Sequence, residues 1–383
     1  MKKIGILTLP LWNNYGGILQ TYALNYKLKS LGYETLVIDY KKLPQSKVEI
    51  AKIHSKNWIK KYLFKNKTWN LSQTDSFRSY VSSNTRGFVE SELTPLSSPV
   101  FGKDELSEMN DILDGVIVGS DQVWRPDYAP SWGTYFLDFL EPSKLRISYS
   151  ASFGKENVKF TEAQLVVARK ELCKFDAISV REKNGLDIVK ENFGFKAEHI
   201  LDPTLLLDKE DYESIVDKYK EPKSCGNLFT YILDHNETSE IIINKVSNEM
   251  NLNSFEVNSK IPKVDIDLNK IDGHVYPRVT KWLKAFVDAE YVIADSFHGC
   301  VFSIIFNKPF IAVGNKQRGL TRFTSLLETF DLTSRLVLEP SQITEELINY
   351  EFDWDKINKI RHFKRKESID FLTSAIGEQN EKD

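Results

Sequence analysis

The sequence predicts an α/β protein of two domains, each a parallel sheet with helices on both faces, set across a cleft from one another. Three observations lead there. Short apolar runs alternate with segments whose apolar residues recur at helical spacing, the pattern of a parallel sheet covered on both sides. The alternation lapses in the charged stretch Asp208–Lys223 and then restarts. A chain of 383 residues also has enough length for two or three separate cores. The expected division is a first domain over 1–210, a second over 211–345, and a helical tail over 346–383 that packs back on the first domain.

The first unit opens with an apolar strand, Lys3–Leu9. Ile18, Leu19, Tyr22, Ala23, Tyr26 and Leu31 follow at helical spacing, then Gly32 and a second strand, Thr35–Ile38. Strands are expected at Gly115–Val118, Arg146–Ala151, Ala177–Val180 and Glu198–Leu201, with helices over Thr161–Phe175 and Glu182–Asn192. In the second unit, Leu228–Leu233, Tyr291–Ala294 and Phe310–Val313 read as strands. Thr238–Met250, Val279–Asp288 and Cys300–Phe306 read as helices, as does Trp354–Ala375 in the tail. In such sheets ligands bind beyond the carboxyl ends of the strands.

Composition narrows the function. With 41% hydrophobic and 27% charged residues the chain is neither disordered nor fibrous. Fifty-one basic against 54 acidic residues gives a net charge of −3, which argues against a nucleic-acid partner. Cys173, Cys225 and Cys300 lack CxxC spacing, and the six histidines form no HExxH, so no metal site is expected; a GxSxG elbow is also absent. Lys2 and Lys3 before an apolar run imitate a signal peptide, but the run enters Asn13–Gly17 without a cleavage site, and no 18-residue apolar stretch occurs. The expected location is the cytoplasm, with contact at the inner face of the membrane considered below.

Four loop segments carry the candidate chemistry. In NNYGGILQTYAL, Gly16 and Gly17 lie between a strand and a helix, where backbone amides can approach an anion, and Asn14, Tyr15 and Gln20 add hydrogen-bonding side chains. In VGSDQVWRP, Ser120, Asp121 and Gln122 offer donors and acceptors suited to sugar hydroxyls, with Trp124 as an aromatic surface; the alternative is a helix cap with Trp124 in the core. Arg181 of SVRE can grip a phosphate or carboxylate, or form a structural ion pair. ADSFHGCVFS is the sharpest of the four. It sets Asp295, Ser296 and His298 at a strand-to-helix junction, with Gly299 allowing close approach of an anion. Beyond the next strand, Lys316, Arg318 and Arg322 form a cationic loop.

Together NYGGILQTYAL, GSDQVWRP, ISYSASFG (Ile147–Gly154), SVRE, LDPTLLL (Leu201–Leu207) and ADSFHGCVFSIIFNKPFIAV resemble the polysaccharide pyruvyl transferase family, in order, from the first strand to about Leu332. The resemblance implies a glycosyltransferase-B-like fold of two Rossmann-like domains, the first on the acceptor side and the second on the donor side. It implies phosphoenolpyruvate as donor substrate, no further cofactor, and as acceptor a sugar of a cell-surface polysaccharide or its lipid-linked precursor, which becomes a pyruvate ketal. Arg181, Lys316 and Arg322 would hold the donor, His298 would be the catalytic acid or base, and Asp121 and Asp295 would assist an acceptor hydroxyl. Two other readings fit the same fold: a nucleotide-sugar glycosyltransferase, and an inactive carbohydrate-binding relative.

One segment stands apart. Between Lys47 and Lys67 seven lysines accompany the single acid Glu49, interleaved with Trp58, Ile59, Tyr62, Leu63 and Phe64. This pattern fits an interfacial helix on anionic lipid or a core-packed helix with a basic outer face.

Overall fold

A computed structural model describes residues 1–63, 74–128, 131–259, 272–315 and 319–377. The first domain contains strands β1 (Lys3–Leu7), β2 (Glu34–Val37), β3 (Tyr40–Lys41), β4 (Val100–Phe101), β5 (Gly115–Val118), β6 (Leu145–Ala151), β7 (Ala177–Val180) and β8 (Glu198–His199). Six of them form one sheet in the order β2-β1-β5-β6-β7-β8, and β3 pairs with β4 beside it. The second domain contains β9 (Leu228–Tyr231), β10 (Ser254–Phe255), β11 (Tyr291–Ala294), β12 (Phe310–Val313) and β13 (Leu336–Val337), ordered β10-β9-β11-β12-β13. Every pairing in both sheets is parallel. Their strands are almost wholly buried, which is why they read as continuous apolar runs.

Parallel order creates a switch point in each sheet, between β1 and β5 in the first and between β9 and β11 in the second. Adjacent strands there send their connections to opposite faces and open a crevice at their carboxyl ends. Residues from these two carboxyl edges come together across the domain boundary. Tyr15, just past β1, spans it: its ring stacks on Trp282 at 5.5 Å and its hydroxyl donates to the Pro277 carbonyl at 2.8 Å. One continuous apolar core runs from Ile18 and Leu24 of the first domain to Trp282 and Phe302 of the second.

The charged stretch after Asp208 is not a bare linker. Lys209–Lys218 is a helix whose start is capped reciprocally by Asp208 and Asp211 and whose Tyr212, Ile215 and Val216 are buried. The tail helix Trp354–Ile376 returns to the first sheet. Its Ser368 hydroxyl accepts from the Leu201 amide at 3.1 Å, Phe371 packs on Tyr149, and Tyr33 donates to the Gly377 carbonyl.

Trp124 belongs to the core. It is fully buried, stacks on Phe136 at 5.3 Å and donates its indole N–H to the Tyr135 carbonyl at 2.9 Å, so the aromatic sugar platform expected of it is corrected. Trp124→Phe should therefore cost about 1–3 kcal/mol in denaturant unfolding, through lost volume and an orphaned carbonyl, with ligand affinity unchanged. Reduced ligand affinity at full stability would return this residue to the site.

Candidate active site

Asp202 is the centre of the cluster. It follows β8 and caps the turn Pro203–Leu206, with Oδ1 accepting from the Thr204 amide and hydroxyl at 3.0 and 2.7 Å. Oδ2 faces the cleft and accepts from Ser120 Oγ at 2.9 Å and Arg181 Nη1 at 3.0 Å, with His298 Nε2 3.5 Å away. Burial pushes the Asp202 pKa up, but His298, and after it Arg181, outweigh burial and hold the carboxyl well below the usual carboxylate range.

Arg181 leaves the end of β7 into a fully desolvated setting. Its guanidinium lies 4.4 Å from the Phe297 ring centroid, 3.7 Å from Asp121 and 3.9 Å from Glu182. Burial disfavours its charge, yet Asp202, Asp121 and Glu182 hold its pKa above the ordinary value. Nε and Nη2 are buried without a hydrogen-bond partner, so two donors of the fork remain available to an anion. Glu182 accepts with one oxygen from Ser152 Oγ and the amides of Phe153 and Gly154, at 2.8–2.9 Å, and so fixes the loop that follows β6.

His298 lies in the first turn of the helix Phe297–Ile305, which begins three residues earlier than the sequence pattern implies. The ring is wedged between Asp202 and the start of the helix Tyr15–Ser30. A Cβ placed on Gly16 would stand 1.9 Å from His298 Nδ1, so only glycine lets the first domain approach this closely. Asn14 caps the same helix by accepting from the Gly17 amide at 3.1 Å, and its side-chain amide donates to Asp121 Oδ2 at 2.7 Å. Asp121 itself sits at φ 69°, a left-handed conformation that is costly for a non-glycine residue and is typical of functional loops. Ser120, Asp121, Arg181, His298, Asn14 and Gly16 thus come together, as their loops suggest.

Arg322 completes the cationic wall from the helix Thr321–Thr329. Burial, and next the repulsion of Arg181, push its pKa down to about 10. Its Nε is buried without a partner. A bound anion between Arg181 and Arg322 would relieve both effects. Arg181, Asp202, Phe297 and Ser325 line a narrow cavity of about 20 Å³ whose wall includes His199 and Thr329 but neither Arg322 nor His298. A larger one of about 260 Å³ opens nearby between Arg125, Asp127, Lys155 and Lys159, where Arg125 Nη1 donates to Gln122 Oε1 at 2.8 Å. Lys316 and Arg318 lie outside the described residues.

Other expected residues have different work. Asp295 accepts with its two oxygens from the amides of Leu233 and Asp234, at 2.7 and 2.9 Å, so it shapes the loop after β9 and its expected catalytic use is corrected to a positioning one. Tyr15 is an interdomain strut, and Gln20 is fully buried, donating to Thr8, Gly17 and Thr21. Their assignment to substrate is corrected accordingly. Gly299 faces Ala294, where an added Cβ would come within 2.5 Å, so it serves helix-on-strand packing and not an anion. Ser296 caps this helix end half-buried, with no side-chain cap bond. Sequence reading missed Asp202 and Glu182. The only signals were an Asp before Pro-Thr and an acid directly after Arg181. Among the described residues, no group of three or more His, Cys, Asp and Glu side chains is placed to hold a metal ion.

Two Rossmann-like domains, with a buried Arg–Asp–His cluster between their carboxyl edges, make a glycosyltransferase-B-like fold. The chain belongs to the polysaccharide pyruvyl transferase family, whose model matches residues 14–317. No curated protein matches the sequence significantly. Among solved structures, the UDP-GlcNAc 2-epimerase of Neisseria meningitidis bound to UDP-GlcNAc aligns at 11% identity with a TM-score of 0.52, over 98% of this chain and 100% of that one. The S. aureus MnaA–UDP co-structure aligns at 12% identity with a TM-score of 0.50, over 100% and 99% of the two chains. At such identities the likeness speaks for the fold alone.

Proposed function

We propose that this protein transfers pyruvate from phosphoenolpyruvate to a sugar of a cell-surface polysaccharide or its lipid-linked precursor, forming a pyruvate ketal. The observation that carries this, beside family membership, is the buried Arg181 guanidinium, which shares Asp202 with His298 and keeps unpartnered N–H donors, together with the unpartnered, buried Nε of the half-buried Arg322. A donor bearing both a phosphate and a carboxylate suits two convergent cations. In the reaction one sugar oxygen bonds to the central carbon of the enol while a proton reaches its methylene carbon. The second sugar oxygen then replaces the phosphate, whose C–O bond breaks. The two hydroxyl protons end on the new methyl group and on phosphate. His298 is assigned the proton transfer, to the methylene carbon or to the departing phosphate, with Asp202 orienting its ring. Asp121, carried by the strained loop after β5, is assigned to the acceptor hydroxyl, and the cavity beside Arg125 and Gln122 to the sugar.

The test is phosphate release from phosphoenolpyruvate in the presence of cell-surface glycan, with proton NMR of the glycan product. A new ketal methyl singlet matching the phosphate released is expected. Sugar transfer from a UDP- or GDP-sugar, without phosphate release from phosphoenolpyruvate, would overturn the proposal in favour of a nucleotide-sugar enzyme.

A further inference from the structure

The helix Lys47–Leu63 leaves the same carboxyl edge of the first sheet that carries the active-site loops, after β2 and β3. None of its described side chains is buried, and the side chains of Asn57, Lys60, Lys61, Tyr62 and Leu63 lie outside the described residues. Ile50 and Ile53 are half-buried, whereas Val48, Trp58 and Ile59 are 62, 56 and 41% exposed. At 3.6 residues per turn Val48, Ala51, Trp58 and Ile59 fall within roughly 100° of arc, so an apolar stripe faces outward, away from the half-buried isoleucines. Lys52 and Lys56 border that stripe on one side and Lys47 on the other, all three exposed, and the exposed Ser55 falls within it. Glu49, the lone acid from 47 to 67, is engaged by the Ser46 amide and hydroxyl at the helix start, at 2.8 and 2.9 Å. Phe64, Lys65 and Lys67 lie outside the described residues. Among the described residues no helix is long and apolar enough to cross a membrane.

We infer that this helix docks the protein on an anionic lipid surface, with Trp58, Ile59 and Val48 entering the headgroup region and the lysines meeting the lipid charge. An outward apolar stripe bordered by lysines with one capped acid is the charge complement of such a surface, and of a neutral one it is not. The inference stands independently of the pyruvyl-transfer reading. Docked this way, the carboxyl edge of the first sheet, and with it the mouth of the cleft, lies on the membrane side of the domain.

The experiment is co-sedimentation of the full chain with phosphatidylcholine vesicles, with or without about one-third phosphatidylglycerol, at low and high salt. Sedimentation is expected with the anionic vesicles only, falling as salt rises. Two lysines near the surface are worth about 1 kcal/mol each, so Lys52→Gln/Lys56→Gln should lower partitioning by roughly tenfold or more. Trp58→Ser should lower it as well. Circular dichroism and melting temperatures equal to those of wild type check that these variants remain folded. Negligible sedimentation with both vesicle types would overturn the inference. So would self-association of the wild type that Trp58→Ser abolishes, since that assigns the stripe to a second copy of the chain.

Discussion

His298→Ala is expected to lower the rate of ketal formation by roughly a hundredfold or more, the usual scale for losing a general acid or base. The ring is placed by three constraints: the first turn of its helix, Asp202 at 3.5 Å, and glycine at position 16. Imidazole is the side chain suited to proton exchange at physiological pH. Because Asp202 keeps its bonds to Arg181, Ser120 and Thr204 when the ring is gone, the variant should stay folded, with a melting temperature lowered only by the loss of the buried ring. Turnover close to wild type in a folded variant would make the histidine structural and move proton transfer to Asp121.

Arg181→Met is expected to cost about 3–5 kcal/mol of stability, because it strands buried acids that have lost their cation. This goes beyond the donor-affinity effect that sequence suggests for Arg181, since Asp202, Asp121 and Glu182 all lie within 4 Å of the guanidinium. Urea unfolding of both proteins measures it; a loss below 1 kcal/mol would mean that the acids find other partners. The same cluster sets a pH signature. The folded pKa of Asp202 lies below its unfolded value near 4, so its contribution is complete above that value and is lost as pH falls through the folded one. The stability gap between wild type and Asp202→Asn should therefore narrow in acid, below about pH 4, as pH falls through the folded pKa. A gap that closes near neutrality would contradict the ionised, doubly paired Asp202.

What could be read in the chain follows from where the information lies. Buried parallel strands such as Gly115–Val118 and Tyr291–Ala294 are apolar throughout, so local pattern suffices to find them. The helix Lys209–Lys218 hides because its three buried residues sit among acids and lysines; its reciprocal Asp208–Asp211 cap was the legible sign. Arg181 and His298 stand at strand ends, where the architecture puts ligands, and were found for that reason. Asp202 was not, because its meaning depends on partners 21 residues earlier and nearly a hundred later, and an Asp before Pro reads locally as a cap, which it also is. Trp124 and Asp295 show the converse. A strand-end aromatic or acid has the right local address, and only the tertiary structure reveals that Phe136 and the Leu233 and Asp234 amides claim them.

Arg181, Arg322 and His298 are proposed to receive phosphoenolpyruvate, and calorimetric titration of that donor into wild type and Arg322→Met separates this from the alternatives. Among the described residues Arg322 has no ion pair, and burial and Arg181 both oppose its charge, so removing it should not lower the melting temperature. Donor binding to wild type should weaken with salt, as a multiply anionic ligand requires, and should fall by roughly tenfold or more in a fully folded Arg322→Met. Equal phosphoenolpyruvate affinity in the two proteins, or tight UDP-sugar binding with no response to phosphoenolpyruvate, would contradict it.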